Sequence, residues 1–295
     1  MYSFKSITAG DKELFESYFD CNQQNSEANF TNLYMWKDYY KTRFCEDGGF
    51  LVVMNTSPDG KNHSYMPWGS GDIKKCLMNM WEYSLGIGEP LRITNATEEQ
   101  ALLFKELFPK SKIKENSSFN DYVYLTESLV SLSGKKLHSK KNHLNRFKQK
   151  YENYVYRPLK KEDFKPCMAL AERLIVKDGD EDNFEYITEL ESINTAFENF
   201  DRFCLKGGVI EIDGNIAAFT VGEKHRQNCA LIHIEKADTS YDGIYVAINN
   251  EFVKNEWQEC TYVNREEDMG IPGIRKAKLS YRPDHMVRKF MCVAR

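Results

Sequence analysis

The sequence predicts an α+β protein with two similar domains, each a mostly antiparallel sheet flanked by helices. Three observations support this prediction. The segments CLKGGVIEI, IAAFTVGE and CALIHIEKA alternate apolar and polar residues and are joined by the turns DGN and KHRQN, a pattern typical of an antiparallel meander. Helix-like and strand-like segments follow a similar order in both halves. The composition also changes where a basic segment begins, so we place the domains at residues 1–130 and 131–295.

In the first domain, DKELFESYFD and FTNLYMWKDYY have the apolar spacing of helices. GGFLVVMNTSPDGKNHSYMPWG predicts two strands around a Pro-Asp-Gly turn. The helix DIKKCLMNMWEYS and the strand LRIT follow, and then a helix that starts at Thr97. The strands SKIKE and DYVYLT complete this half.

In the second domain, VYRPLKKEDFKPCMALAERLIV predicts a strand and then a helix. An acidic stretch, DGDEDNFEYITELES, leads into another helix before the meander. After the meander, GIYVAINNEFVKNEW predicts an amphipathic helix and ECTYVN a strand. The short helix GIRKAKLSY and the strand VRKFMCV come last.

Composition excludes several classes of protein. The 295 residues carry a net charge of only −4, so any nucleic acid would have to be held by a local basic patch. The eight cysteines are scattered without CxxC spacing, which argues against a metal site or a disulfide framework. No apolar stretch approaches the roughly 18 residues that span a bilayer. We therefore expect a cytoplasmic location, no integral membrane segment and no metal.

A basic helix is predicted over residues 135–150. Its cations are Lys135, Lys136, Lys140, Lys141, Arg146, Lys148 and Lys150. Such a helix suits a tRNA acceptor stem or an anionic lipid surface, and the alternative is an ordinary solvated face. His138 and His143 are five residues apart, unlike an i, i+4 pair that shares a metal.

The order of the second domain, a meander followed by helix, strand, helix and strand, is similar to the core of the GNAT (acyl-CoA N-acyltransferase-like) fold. The stretches DYVY, GKKLHSKKNHLNRF and NREEDMGIPGIRKAKLSYRP resemble a bacterial family related to the C-terminal domain of phosphatidylglycerol lysyltransferase and to Fem-type peptidoglycan aminoacyltransferases. The resemblance covers the whole chain and implies two tandem GNAT-like domains. Lysyltransferases of this type carry a membrane-embedded N-terminal region that the 295 residues lack, so a lipid would be met from solution.

The resemblance implies that the strands ending near Glu235 and Asn264 splay apart around a substrate. Acyl transfer needs a base and a donor that holds the developing oxyanion. We expect Glu235, Asn264 and Glu266 to be the catalytic residues, with Glu235 or Glu266 serving as base or binding an ammonium group. Arg265 or Lys276 would hold the oxyanion. The alternative is a solvated loop.

Further residues are expected to bind substrate. Cations beside an aromatic suit a phosphate-bearing ligand. The residues expected to bind substrate lie in the basic helix, in the loop before the helix GIYVAINNEFVKNEW and in the C-terminal basic segment: His138, Lys140, Lys141, Arg146, Asp242, Gly243, Arg265, Lys276, Lys278, Tyr281 and Arg282. In acetyl-CoA enzymes of this fold, a glycine-rich loop before the helix cradles pyrophosphate. Here the segment is KADTSYDGIY, with one glycine and the repelling Asp242, which disfavours acyl-CoA.

The sequence therefore predicts an acyltransferase that moves an aminoacyl or other acyl group to the amine or hydroxyl of a small-molecule or peptide acceptor. Aminoacyl-tRNA is favoured as donor over acyl-CoA, and no cofactor is required. The alternative hypothesis is a non-catalytic module that binds RNA, a nucleotide or an anionic lipid through the basic helix 135–150, with peripheral contact to anionic lipid.

Overall fold

A computed structural model of the chain describes residues 2–20, 23, 25–178, 184–226 and 228–295, with side chains described outside residues 175–187. The strands are β1 (Lys5–Ser6), β2 (Arg43–Asp47), β3 (Phe50–Thr56), β4 (Asn62–Ser64), β5 (Trp68–Gly69), β6 (Leu91–Ala96), β7 (Lys112–Glu115), β8 (Asp121–Leu125), β9 (Val155–Pro158), β10 (Lys206–Ile212), β11 (Asn215–His225), β12 (Cys229–Ala237), β13 (Tyr262–Asn264), β14 (His285–Val287) and β15 (Phe290–Ala294).

The α-helices are α1 (Lys12–Tyr18), α2 (Phe30–Met35), α3 (Ile73–Gly86), α4 (Glu98–Leu107), α5 (Thr126–Ser131), α6 (His138–Lys150), α7 (Phe164–Asp178), α8 (Phe184–Glu198), α9 (Ile244–Glu256) and α10 (Pro272–Ser280). The predicted basic helix begins at His138, three residues later than expected, because Lys135 and Lys136 lie in a turn. Part of the acidic stretch before α8, residues 179–183, lies outside the described residues.

The chain divides into two compact units, and each contains one sheet. Unit 1 comprises residues 1–121, 267–270 and 287–295, and unit 2 comprises residues 122–266 and 271–286. Sheet 1 has the strand order β1-β2-β3-β4-β6-β15-β7, with β5 also paired to β3. Sheet 2 has the order β14-β8-β13-β12-β11-β10-β9. The architecture is the expected α+β one.

The division differs from the predicted boundary between residues 130 and 131 because the two halves of the sequence exchange strands. The C-terminal strand β15 pairs antiparallel with β6 and β7 in sheet 1. Strand β8, from the first half of the sequence, pairs antiparallel with β13 in sheet 2. Each exchanged strand lies between two others, so it hydrogen-bonds along both edges.

The predicted meander is formed by β10, β11 and β12, which pair antiparallel in sequence order. Ile212 lies opposite Asn215, so the hairpin loop has only two residues, Asp213 and Gly214. Both have positive φ, +52° and +76°, as a tight hairpin turn of this hand requires. The core of unit 2 lies between this sheet and α9, where Phe252, Val253 and Trp257 are fully buried.

Unit 1 contains a fully buried lysine. The Lys289 ammonium donates hydrogen bonds to Glu27 Oε1 at 2.6 Å, Asp121 Oδ1 at 2.6 Å and Ser26 Oγ at 3.0 Å. Burial, opposed by Lys289 and reinforced by Asp121, raises the pKa of Glu27. The two carboxylates keep Lys289 protonated, because their attraction outweighs the cost of burial and raises its pKa.

Candidate functional site

Two neighbouring strands of sheet 2 separate at the expected place. Strands β12 and β13 pair in parallel from Cys229 and Tyr262 as far as Leu231 and Asn264, and β12 then continues to Ala237 without this partner. The chain after β13 stays beside β8, because the Arg265 N–H donates to the Tyr122 carbonyl at 3.0 Å. The end of β12 and the residues after Asn264 therefore border one opening within unit 2.

Glu235 and Arg265 form an ion pair at this opening. Arg265 Nη2 donates to Glu235 Oε1 at 2.8 Å, and the two side chains are only 11% and 13% exposed. Asn249, on α9, donates from Nδ2 to the other carboxylate oxygen, Oε2, at 3.2 Å. Both oxygens of Glu235 thus have a donor, and three elements of unit 2 meet at one carboxylate.

Aromatic rings and further cations surround this pair. The Arg265 guanidinium lies 4.9 Å from the centroid of the Tyr281 ring, and the Lys140 ammonium lies 4.2 Å from the same centroid. Tyr124 donates its hydroxyl hydrogen to the Lys278 carbonyl at 2.8 Å, and the Lys278 ammonium donates to the Arg265 carbonyl. A cation over an aromatic face is stabilised by the ring quadrupole, so Tyr281 orders both Lys140 and Arg265.

The cluster combines cations with one carboxylate, so it suits a ligand that has both hydrogen-bond acceptors and donors. Burial and the neighbouring Arg265 lower the pKa of Lys140, whereas burial raises the pKa of Tyr281, which keeps the phenol neutral. The guanidinium of Arg265 stays protonated, because the carboxylate of Glu235 outweighs the cost of burial and raises its pKa. Lys140, Arg265 and Lys278 are cations of this cluster, and Glu235 supplies a carboxylate that accepts hydrogen bonds.

Two polar atoms of the cluster have no hydrogen-bond partner at ordinary distance and angle among the described residues, although the Arg265 guanidinium also interacts with the Tyr281 hydroxyl. They are Arg265 Nη1 and Asn249 Oδ1, and both atoms are buried. One is a donor and the other an acceptor, and each belongs to a side chain bonded to Glu235. Leaving such groups unsatisfied typically costs 1–3 kcal/mol each, so a ligand that supplies both an acceptor and a donor would recover that free energy.

A second cluster lies at the end of β13. His233, only 2% exposed, has Nδ1 at 2.9 Å from Glu266 Oε1 and Nε2 at 3.0 Å from Glu223 Oε1. Burial alone would lower the pKa of His233, but the hydrogen bonds to the two carboxylates outweigh burial and raise it to about 9. The Glu266 N–H donates to Asn264 Oδ1 at 2.7 Å. Glu266 is therefore held by an imidazolium, and Asn264 supports the backbone.

The loop before α9 is covered by α6. Gly243 has φ of +86°, and a Cβ there would lie 2.9 Å from the His143 carbonyl oxygen. The Asp242 N–H donates to the Tyr151 hydroxyl at 3.3 Å, and the Tyr151 and Tyr241 rings are 5.3 Å apart. The positions that the sequence assigned to substrate at Asp242 and Gly243 thus pack against the basic helix.

The other predicted binding residues lie on exposed surfaces. His138, Lys141 and Arg146 are exposed on α6. Lys276 and Arg282 line a groove of about 480 Å³ along α10, together with Pro272, Arg275, Leu279 and Ser280. Of the predicted residues, the structure brings together Glu235, Arg265, Lys140, Lys278 and Tyr281 in one cluster.

Sequence reasoning missed Asn249, His233, Glu223 and Tyr124. His233 precedes Glu235 by two residues in CALIHIEKA, but a bulge in β12 at this point breaks the alternation of faces, so the strand pattern could not place His233. Asn249 lies on the helix predicted to be amphipathic, and the sequence gives no sign that its side chain would contact Glu235. Among the described residues, no group of three or more histidine, cysteine, aspartate or glutamate side chains is placed to hold a metal ion.

The fold is that of the tandem GNAT-like proteins. A tandem GNAT protein from the clavulanic acid biosynthesis pathway superposes with a TM-score of 0.51 at 12% identity, covering 99% of this chain and 98% of that one. The model of the phosphatidylglycerol lysyltransferase C-terminal family matches residues 19–293. The chain therefore belongs to that family.

Individual relatives agree with this assignment. A conserved protein of unknown function from Bacteroides thetaiotaomicron is 32% identical over the full length of both chains, with a TM-score of 0.94. The C-terminal domain of a candidate lysylphosphatidylglycerol synthetase from Agrobacterium fabrum has a TM-score of 0.66 at 12% identity, covering 97% of this chain and 92% of that one. An uncharacterized protein of Mycoplasmoides gallisepticum is 26% identical over 176 residues, which is 60% of this chain and 56% of that protein.

Within the part of the chain that the structure describes, no helix has the length and apolar character needed to cross a membrane.

Proposed function

We propose that the protein is an acyltransferase that moves an aminoacyl group from aminoacyl-tRNA to an amine or hydroxyl of a small-molecule or peptide acceptor. The observation that carries this proposal is the arrangement of Glu235 between Arg265 and Asn249, each of which keeps one buried polar atom without a partner. Membership of the phosphatidylglycerol lysyltransferase C-terminal family supports the reaction class.

The amino group of an aminoacyl ester matches one side of this arrangement. An ammonium group has three donors and no acceptor, and it would meet the Glu235 carboxylate and Asn249 Oδ1. Asn249 is assigned with its oxygen away from Glu235 because its nitrogen donates to that carboxylate. A buried carboxylate beside an amide oxygen thus favours an α-amino group over a plain fatty acyl chain.

The carbonyl of the same ester matches the other side. Arg265 Nη1 is a buried donor on a side chain that is only 11% exposed, and a donor in such surroundings stabilises a developing oxyanion strongly. In the transfer, the acceptor nitrogen or oxygen forms a bond to the carbonyl carbon and the bond to the ribose oxygen breaks. The proton lost by the acceptor ends on that ribose oxygen, and Glu235 and Glu266 are the two carboxylates at the strand ends available to carry it. An activated ester needs only positioning and these groups.

The basic helix supports a tRNA donor over acyl-CoA. Lys135, Lys136, Lys141 and Arg146 are exposed and suit a phosphate backbone. Lys140, on the same helix, reaches the Tyr281 ring beside Arg265. The loop where a pyrophosphate would be cradled packs instead on α6 through Gly243, which argues against acyl-CoA.

The test is a transfer assay with total bacterial tRNA charged with a mixture of radiolabelled amino acids, and with a parallel panel of labelled acyl-CoAs. Acceptors are supplied as an amine mixture, short peptides and a polar lipid extract. We expect label to leave tRNA for an acceptor fraction, and Glu235→Gln and Arg265→Lys each to reduce the rate at least tenfold.

Arg173→Lys is the matched control, because Arg173 forms an exposed ion pair with Asp238 and should leave the rate unchanged. Transfer from acyl-CoA alone would overturn the choice of donor. Salt-sensitive tRNA binding with no transfer from any donor would instead support a binding module.

A further inference from the structure

His233 is a buried histidine with an acid at each ring nitrogen. Glu223 reaches it from β11, and Glu266 reaches it from the segment after β13. His233 itself lies on β12 at a bulge, where the adjacent residues Val221 and Gly222 of β11 face Ile234 and Ile232. The imidazole therefore links three neighbouring segments of sheet 2 at the point where β12 and β13 separate.

These contacts require a doubly protonated ring. A carboxylate at ordinary pH only accepts hydrogen bonds, so both ring nitrogens must donate, which the neutral imidazole cannot do. The titratable groups that face the ring are Glu223 and Glu266, so the cluster holds two anions and one cation. With a neutral His233 only one of these two hydrogen bonds could form, in a site where all three side chains are largely buried.

The segment that His233 holds has an unusual backbone. Glu266 has φ of +54°, a left-handed conformation that is unfavourable for a residue with a side chain. Its N–H donates to Asn264 Oδ1, and its carbonyl accepts from the Tyr122 N–H at 3.2 Å. Arg265 lies between Asn264 and Glu266 in the sequence, so these hydrogen bonds fix the backbone on both sides of the arginine.

We propose that His233 is a positioning residue, which as an imidazolium bridging Glu223 and Glu266 holds the residues after β13 so that Arg265 reaches Glu235. It does not touch the substrate. The role of Arg265 as an oxyanion donor rests on the proposed function, but the positioning of its backbone and side chain does not. The two ideas can therefore fail separately.

The first experiment measures the ring and the backbone directly, without activity. In nitrogen-15 NMR of histidine-labelled protein, the signal that His233→Gln removes should be that of a doubly protonated ring at pH 7. In His233→Gln and His233→Phe, hydrogen exchange at the Arg265 and Glu266 amides should be at least tenfold faster than in the wild type. His285→Gln is the control, because His285 is partly exposed at β14 and should leave these amides unchanged.

The second experiment uses a non-reactive probe, an aminoacyl group joined by an amide to 3′-amino-3′-deoxyadenosine. The α-amino group of the probe titrates near pH 8 with either protein, so the comparison is made above that pH: wild-type affinity should fall further as pH rises through 9, whereas His233→Gln should bind at least tenfold more weakly and lack this second fall. A neutral ring at pH 7, or unchanged amide exchange in both variants, overturns the proposal. Failure of the wild type to bind the probe, with the NMR and exchange results as expected, overturns the proposed donor and leaves the positioning role standing.

Discussion

Removing the Lys289 side-chain charge should destabilise unit 1 strongly. In Lys289→Met the carboxylates of Glu27 and Asp121 lose the ammonium that lies 2.6 Å from each, and both stay buried. Breaking a buried ion pair by removing one partner typically costs about 3–5 kcal/mol, because it leaves an uncompensated buried charge. We expect a loss of this size, since two anions depend on the one cation.

The assay is equilibrium unfolding in urea followed by tryptophan fluorescence. Three of the four tryptophans, Trp36, Trp68 and Trp81, lie in unit 1, so the signal reports chiefly on that unit. Lys74→Met is the control, because Lys74 pairs with Glu106 on the surface, and it should leave the unfolding free energy unchanged within error.

Two further measurements separate charge from packing. Glu27→Gln and Asp121→Asn combined with Lys289→Met should recover more than half of the loss, because no buried charge then remains. The deficit of Lys289→Met alone should shrink as pH falls from 8 to 5, since a carboxyl group whose folded pKa is raised binds protons more readily in the folded state. A loss below about 1 kcal/mol, or no recovery in the triple variant, would refute the electrostatic explanation.

Four other changes have definite expected outcomes. Gly243→Ala should lower the unfolding free energy by about 1–2 kcal/mol, because the backbone at Gly243 is left-handed. The measurement is unfolding in urea, and the comparison is Gly273→Ala, where an added Cβ would contact no atom within 4 Å. The stabilisation from His233 should be complete below pH 6.5 and be lost as pH rises through 9, because its folded pKa is raised to about 9; melting curves from pH 6 to 10 should show this loss in the wild type and not in His233→Gln. Glu266→Gln should lower aminoacyl transfer at least tenfold without unfolding the protein, and unchanged turnover would remove it from the site. Lys141→Glu should weaken tRNA binding and reduce its salt dependence, and a filter-binding titration with an unchanged slope would exclude Lys141 from the tRNA contact.

Local sequence patterns predicted most helices and strands of unit 2, because each of these elements depends on residues that are close in the sequence. The alternating strands around Asp213 and Gly214 could form a tight hairpin only with two left-handed residues in the turn, and both positions allow that conformation. No such local signal indicated that β8 pairs with β13, or that β15 pairs with β6 and β7. Their pattern indicates that they are strands, but the partner of a strand is decided by packing over residues far apart in sequence.

The sequence predicted where the candidate site lies, but not which of its side chains contact each other. Glu235, Arg265 and Glu266 were expected at strand ends, yet the sequence could not distinguish an acid paired with an arginine from one held by an imidazolium. That difference depends on which side chains face each other across β11, β12 and β13.

The exchange of strands has a direct bearing on where this site can be assembled. The backbone partner of Arg265 is Tyr122, and Tyr124 lies under its guanidinium at 5.8 Å. Both residues belong to β8, which precedes the boundary at 130 that composition indicates. Residues 131–295 alone would lack this strand, so the second half of the sequence contains the charged residues of the site but not the neighbouring strand that orients Arg265.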